Sequence, residues 1–247
     1  VSDACWLMDQ FGPTKTVLEV DALEADAVVF AGSLHVRGQI DVDTVLRIGG
    51  HLRAESGIRV GRSLQVGEDL WAAGNIRSMG CLEVDGDVRV DWNLLVEERL
   101  DCGGDLRVGR DVEVGTDCKI GGQSTVGGDV AVGAALKCLS NLRVRGALKV
   151  GGSVWSAQGI DVSQGIDVRD HLEACWGIVS GKSIVSGGAI KTGESLAAEE
   201  IIQAGEGYGI YAGLNVPVEV WEASAWVRAR ERPNRLFSGH WHAPVTS

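Results

Sequence analysis

The sequence predicts an all-β fold, a single-stranded β-helix (β-solenoid) wound from hexads, and three observations carry that prediction. From about Ser33 to Val216 the chain repeats a unit reading polar, aliphatic, variable, aliphatic, then two residues rich in glycine. The unit is plain in Asp105-Leu106-Arg107-Val108-Gly109-Arg110 and Asp111-Val112-Glu113-Val114-Gly115-Thr116. It recurs roughly thirty times in one register without an insertion, the signature of a stacked solenoid. Its aliphatic residues are spaced by two, as on one face of a strand, and a six-residue period cannot hold a helical stripe together.

Taken in order, residues 1–32 read as an N-terminal cap and first coil, with Trp6, Leu7, Met8 and Phe11 supplying apolar cover. Residues 33–216 are the solenoid. The second hexad position runs Leu34, Ile40, Leu46, Leu52, Ile58, Leu64 and onward to Ile202 and Leu214, and the fourth runs Val36, Val42, Ile48, Ala54, Val60. Both point inward, and the residue between them (Arg47, Arg59, Glu83, Arg89, Arg107, Lys119, Lys149) points outward. Glycine followed by Asp, Asn or Ser supplies each turn. Three hexads per coil, as in known hexad solenoids, give about 18 residues per coil, about ten coils and a three-sided body about 50 Å long. Pro217 then interrupts the pattern. Val218-Glu219-Val220-Trp221, Ala225-Trp226-Val227-Arg228-Ala229-Arg230, a turn near Pro233-Asn234 and Leu236-Phe237 read as a hairpin-like cap over residues 217–247.

Composition narrows the function classes. The chain carries 34 acidic against 23 basic residues, a formal net charge of −11. That balance disfavours nucleic-acid binding and suits solubility and a basic protein partner. No apolar run is long enough for a membrane span, and the start lacks the basic-then-apolar layout of a secretory signal, so a cytoplasmic location is expected. Among six cysteines, Cys102, Cys118 and Cys138 fall on inward positions and act as small apolar residues, while Cys5, Cys81 and Cys175 do not. None needs a disulfide or metal role.

Outward residues one coil apart should stack. Arg53, Trp71, Arg89, Arg107, Thr125 and Arg143 then form one column beside Asp69, Asp87, Asp105, Gln123 and Asn141. The two columns read either as a mutually neutralising face or as a binding stripe that includes an outward tryptophan. Trp71 with Trp92, and Trp155 with Trp176, share an offset of one coil plus three residues. They mark contact surfaces or pack over glycine-rich corners such as Gly103-Gly104 and Gly151-Gly152. Near the end, Arg228, Arg230, Arg232 and Arg235 lie beside Trp221, Trp226 and Trp241, a docking patch or an amphipathic cap. His240 and His242 share one strand face, but sequence offers no third metal ligand beside them.

The hexads lack the protruding loop and histidine of hexapeptide acyltransferases, and the larger aliphatic precedes the smaller, opposite to that family's order. No nucleophile triad, phosphate loop or nucleotide fingerprint is found, so neither catalysis nor a cofactor is expected.

At Gly104-Asp105-Leu106-Arg107-Val108-Gly109 and Gly128-Asp129-Val130-Ala131-Val132-Gly133 the chain resembles the bactofilins, a polymer-forming bacterial cytoskeletal family. The resemblance covers residues 33–216 and implies a right-handed, roughly triangular β-helix without a cofactor. The repeat is longer than the usual bactofilin core, and non-repeat segments stand where bactofilins tend to have short disordered tails. Those segments are expected to block end-to-end stacking. The expected function is therefore a non-enzymatic protein-binding solenoid, most concretely a cytoplasmic immunity protein that neutralises a basic toxin. The alternative is a bactofilin-like self-assembling scaffold.

Overall fold

The computed structural model describes residues 16–243. The expected apolar cover from Trp6, Leu7, Met8 and Phe11, and Cys5 with it, lie outside the described residues. The fold is a parallel β-solenoid of three sheets and about 13 turns. Its described helix is confined to a 3-10 turn at Val218–Val220 and a single turn at Trp221–Ser224.

The chain divides into two compact units, residues 1–122 and 123–247. In the first, strands from Val17–Val20 to Cys118–Ile120 are dealt in rotation to sheets 1, 2 and 3, six to each. Each strand pairs in parallel with those one coil before and after: Leu52 with Leu70, Leu70 with Val88, and Val88 with Leu106 in sheet 1. In the second unit the same rule aligns Leu142, Ile160, Ile178 and Leu196.

Strands of three residues suffice because two side chains point into the coil and one points out. Leu70 and Ala72 are 1% and 0% exposed while Trp71 lies between them on the outer face. A lone strand burying two side chains would not persist. Stacking converts the pairs into continuous aliphatic columns, at about 25 cal/mol per Å² of apolar surface removed from water.

The Gly-Asp step of the repeat has a specific cause at the corner entering sheet 1. Asp69 Oδ1 accepts the backbone N–H of Asp87 at 2.9 Å, and Asp87 Oδ1 accepts that of Asp105 at 2.8 Å. Ser33 Oγ and His51 Nδ1 fill the same place two coils and one coil earlier, accepting from His51 and Asp69 at 3.0 and 3.2 Å. Each carboxylate occupies the space that a Cβ would need one residue before the amide it accepts: the Asp69 carboxylate abuts Gly86, and that of Asp87 abuts Gly104. At these two corners a side chain before the next aspartate has no room.

Corners are also satisfied from the inside. Ser180 Oγ donates to the carbonyls of Gln164 at 2.7 Å and Ser183 at 3.1 Å, and Ser156 Oγ does the same to Ser140 and Gly159 at 2.8 and 3.4 Å. Cys102 Sγ sits in the equivalent place, 3.5 Å from the Gly86 carbonyl and 3.5 Å from that of Asp105. Cys102, Cys118 and Cys138 are buried as expected.

Two expectations need correction. The coils number about 13 rather than ten. The first coil does lie within residues 1–32, beginning at Val17, with its strands at five-residue steps (Leu18, Leu23, Val28) rather than hexads. The register is not continuous to Val216. After Gln203 two residues are inserted, so Ile190 pairs with Ile210 instead of residue 208, and Leu214, expected inward, is 53% exposed. A turn at Gly205–Tyr208, with Gly207 at φ 83°, absorbs the insertion.

The C-terminal segment is not a hairpin. Trp226–Arg228 adds in parallel to Leu196–Ala198, His240–His242 adds in parallel to Trp226–Arg228, and Leu236–Ser238 adds in parallel to Ile210–Tyr211. The alternation Ala225, Val227, Ala229 is one more inward rung, all three being buried, so the segment extends the winding.

Candidate protein-binding surface

The outer columns form as their spacing requires. In the first unit Arg53, Trp71, Arg89 and Arg107 align in successive strands of sheet 1. In the second, Thr125 aligns with Arg143, and Arg143 with Asp161. The arginines find carboxylates close by: Arg107 with Asp105 at 2.7 Å, Arg89 with Asp91 at 3.2 Å, Arg53 with Glu55 at 3.8 Å and Arg143 with Asp161 at 3.4 Å. Of the first three, Arg107 is the one paired across to the neighbouring aspartate column. At exposed positions these pairs are worth about 0–1 kcal/mol each. They leave the column close to neutral, a poor polyanion site and a serviceable protein-facing one.

The tryptophans are the distinctive feature. Trp71 lies half-buried under the Arg53 guanidinium, 4.3 Å from the ring centroid. Trp92, at the corner leaving sheet 1 on the next coil, is 46% exposed with the Arg110 guanidinium 4.2 Å from its ring. In the second unit Trp155 sits on sheet 3 with Lys137 Nζ at 5.2 Å, and Trp176, at the following corner, is 49% exposed. Both pairs thus occupy adjacent coils. A stacked cation orients an indole and contributes about 0.5–1 kcal/mol at an exposed site.

Trp176 has apolar company. Three residues on, Val179 points outward at 43% exposure, and its partner one coil later is Ala197. Val185 takes the equivalent outward place in sheet 2, aligned with Asp167 and Gln203.

The C-terminal arginines and tryptophans do not converge on one patch. Arg228 is exposed and stacks 5.0 Å from the Trp226 ring. Trp221 packs against Gly213, whose φ of 77° and close indole neighbour both exclude a side chain. Arg230 is exposed and its backbone N–H donates to the Glu200 carbonyl at 2.8 Å. Arg232 and Arg235 turn up at a separate cleft with Glu206 and Glu231. That cleft had no forewarning in the hexad pattern beyond the glycines that break it after Gln203. Trp241 is half-buried, and its indole N–H is buried with no acceptor among the described residues.

His240 and His242 contact edge to face, 4.8 Å between centroids, and among the described residues no three His, Cys, Asp or Glu side chains gather as a metal site would need. Burial pushes the Cys102 thiol up to about 12 and raises that of Cys81 as well. Both are therefore held as thiols rather than the nucleophilic thiolate at neutral pH. Among the described residues no helix is long and apolar enough to cross a membrane.

No family model, curated protein or solved structure matches the chain.

Proposed function

We propose that the protein is a non-enzymatic protein-binding β-solenoid, and most concretely a cytoplasmic immunity protein that neutralises a basic toxin. The observation that carries this reading is the presentation of Trp92 and Trp176, each nearly half exposed, at corners of tightly hydrogen-bonded coils. Exposed indoles on a pre-organised backbone lose little conformational entropy on binding, and Trp and Arg are the residue types that dominate protein interfaces. Ion pairing along the Arg53–Arg107 column leaves the flank near neutrality, so the net charge of −11 acts at longer range, steering a basic partner towards it.

The competing reading, a bactofilin-like scaffold, requires chain ends that stack. The added strands Trp226–Arg228, Leu236–Ser238 and His240–His242 carry sheets 1 and 3 beyond the last strand of sheet 2, so the three edges at this end are not level, which weighs against it.

The test is co-purification with the product of the adjoining reading frame, followed by titration. A stable complex with a basic protein, weakened at least tenfold by Trp92→Ala or Trp176→Ala in a folded chain, supports the proposal. Absence of a basic partner, or light scattering that rises with concentration as filaments form, overturns it.

A further inference from the structure

Sheet 2 stops before its neighbours do. Its last strand is Ile202–Gln203, whereas sheet 1 runs on through Trp226–Arg228 and His240–His242, and sheet 3 through Ile210–Tyr211 and Leu236–Ser238. On this side the chain passes as residues 229–235, fixed at one end by the Arg230 N–H on the Glu200 carbonyl and carrying a buried Pro233. Between that passage and residues 201–206 lies a cleft of about 410 Å³. Its wall includes Gln203, Ala204, Glu206, Glu231, Arg232 and Arg235.

The hydrogen-bonding character of the cleft floor follows from the ladder beneath it. One coil earlier, the Ile184 N–H donates to the Ile201 carbonyl at 2.9 Å, and two coils earlier in the same sheet the Ile166 N–H donates to that of Ser183 at 2.9 Å. Ile202 occupies the next equivalent position, and among the described residues no strand lies beyond it in sheet 2. In a parallel ladder the N–H and C=O of one residue face the same neighbour. Both groups of Ile202 therefore face the cleft. Arg235 at the cleft wall holds φ 58°, the described non-glycine residue in the left-handed region. Its carbonyl is tied to the Ile210 N–H at 3.0 Å, so the chain passing over the cleft is pinned in an uncommon backbone state.

We propose that this edge receives an extended segment of a partner polypeptide as an added parallel strand of sheet 2. The N–H and C=O of Ile202, presented together on a strand edge, are the complement of another extended backbone. The wall carries both signs, Glu206 and Glu231 with Arg232 and Arg235, which suits a peptide of mixed charge and not a polyanion. The site is separate from the tryptophan surface and stands without it.

The probes are fluorescent peptides copying strands of sheet 2 from this chain, residues 57–62, 111–116 and 182–188, the last already pairing with Ile202–Gln203 from the opposite side. With the intact protein, saturable binding is expected together with slowed hydrogen exchange at the Ile202 amide. The same peptides N-methylated at alternate residues should bind at least tenfold more weakly, and Trp92→Ala with Trp176→Ala should leave binding unchanged. No binding by any of the three at millimolar concentration, equal binding of the methylated forms, or unaltered exchange at that amide overturns the proposal.

Discussion

The two units wind one hexad over different materials. In the first, the inward columns are almost wholly aliphatic, with Ser78 the buried polar side chain there, and the corners entering sheet 1 are tied from outside by Ser33, His51, Asp69 and Asp87. Its outer rows are laced with ion pairs such as Arg59–Asp41 at 3.0 Å and Arg99–Glu83 at 2.6 Å. In the second, Ser124, Ser156, Ser180, Ser186 and Thr192 are buried, and hydroxyls tie several corners from within. Its outer rows include Val179, Val185 and Ala197. The lesson is that the hexad specifies a path, while each coil has to satisfy its corner carbonyls and amides separately. An external side-chain oxygen accepts a corner amide and an internal hydroxyl donates to corner carbonyls, so the two answer opposite halves of the problem, and at Gly159 both are present: Asn141 Oδ1 accepts its N–H at 3.0 Å and Ser156 Oγ lies 3.4 Å from its carbonyl.

The sharpest way to break the comparison is at the glycines. Gly104→Ala drives a methyl into the Asp87 carboxylate and the Gly86 backbone, and should cost about 1–3 kcal/mol. Gly165→Ala in the second unit meets nothing nearer than the Ser183 carbonyl at 3.6 Å, and should be neutral or stabilising by about 0.4–1 kcal/mol. Urea midpoints for the two variants should move in opposite directions or differ clearly. Equal losses would mean that the aspartate ladder does not decide where glycine is required.

Next in size is a pH effect. The folded chain holds the Cys102 proton to about 12, whereas an unfolded cysteine thiol releases it near 9.0. Between those values the native state binds the extra proton, so stability falls as pH rises, by about 1.4 kcal/mol per unit at most. Cys102→Ser, which places a hydroxyl where Ser156 already works in the second unit, should remove that part of the slope. Denaturation midpoints of the two proteins at pH 8.5, 9.5 and 10.5 supply the check, and parallel curves would contradict it.

The smallest effect is expected inside the second unit. Ser180→Ala leaves the Gln164 and Ser183 carbonyls without their hydroxyl donor and should cost about 0.5–1.5 kcal/mol. An unchanged thermal midpoint would show that the inner hydroxyls fill space without bonding.

Much of the fold was legible because the hexad couples register to burial at every step. Leu34, Val36, Ile40 and Val42 had to lie inward once the period was read, and they do. The columns Arg53–Trp71–Arg89–Arg107 and the tryptophan pairs on adjacent coils followed from the same arithmetic. What escaped lies where the period fails. Five-residue steps obscured the strand positions of the first coil at Val17–Phe30, and a two-residue insertion shifted the inward pair from Tyr208 and Ile210 to Ile210 and Ala212. The C-terminal alternation resembled a hairpin because period two does not say which direction a strand runs.

Sequence by itself determined the class of fold, the length of each strand and the side each residue faces, since those depend on local periodicity and turn chemistry. Tertiary structure alone decided that Asp69 and Asp87 each spend an oxygen on the next coil's amide, that Arg232 and Arg235 leave the other C-terminal arginines for a cleft, and that among the described residues sheet 2 ends at Ile202–Gln203. These outcomes depend on which atoms one coil sets against the next, and a repeat that fixes spacing along the chain carries no information about where the stacking ends.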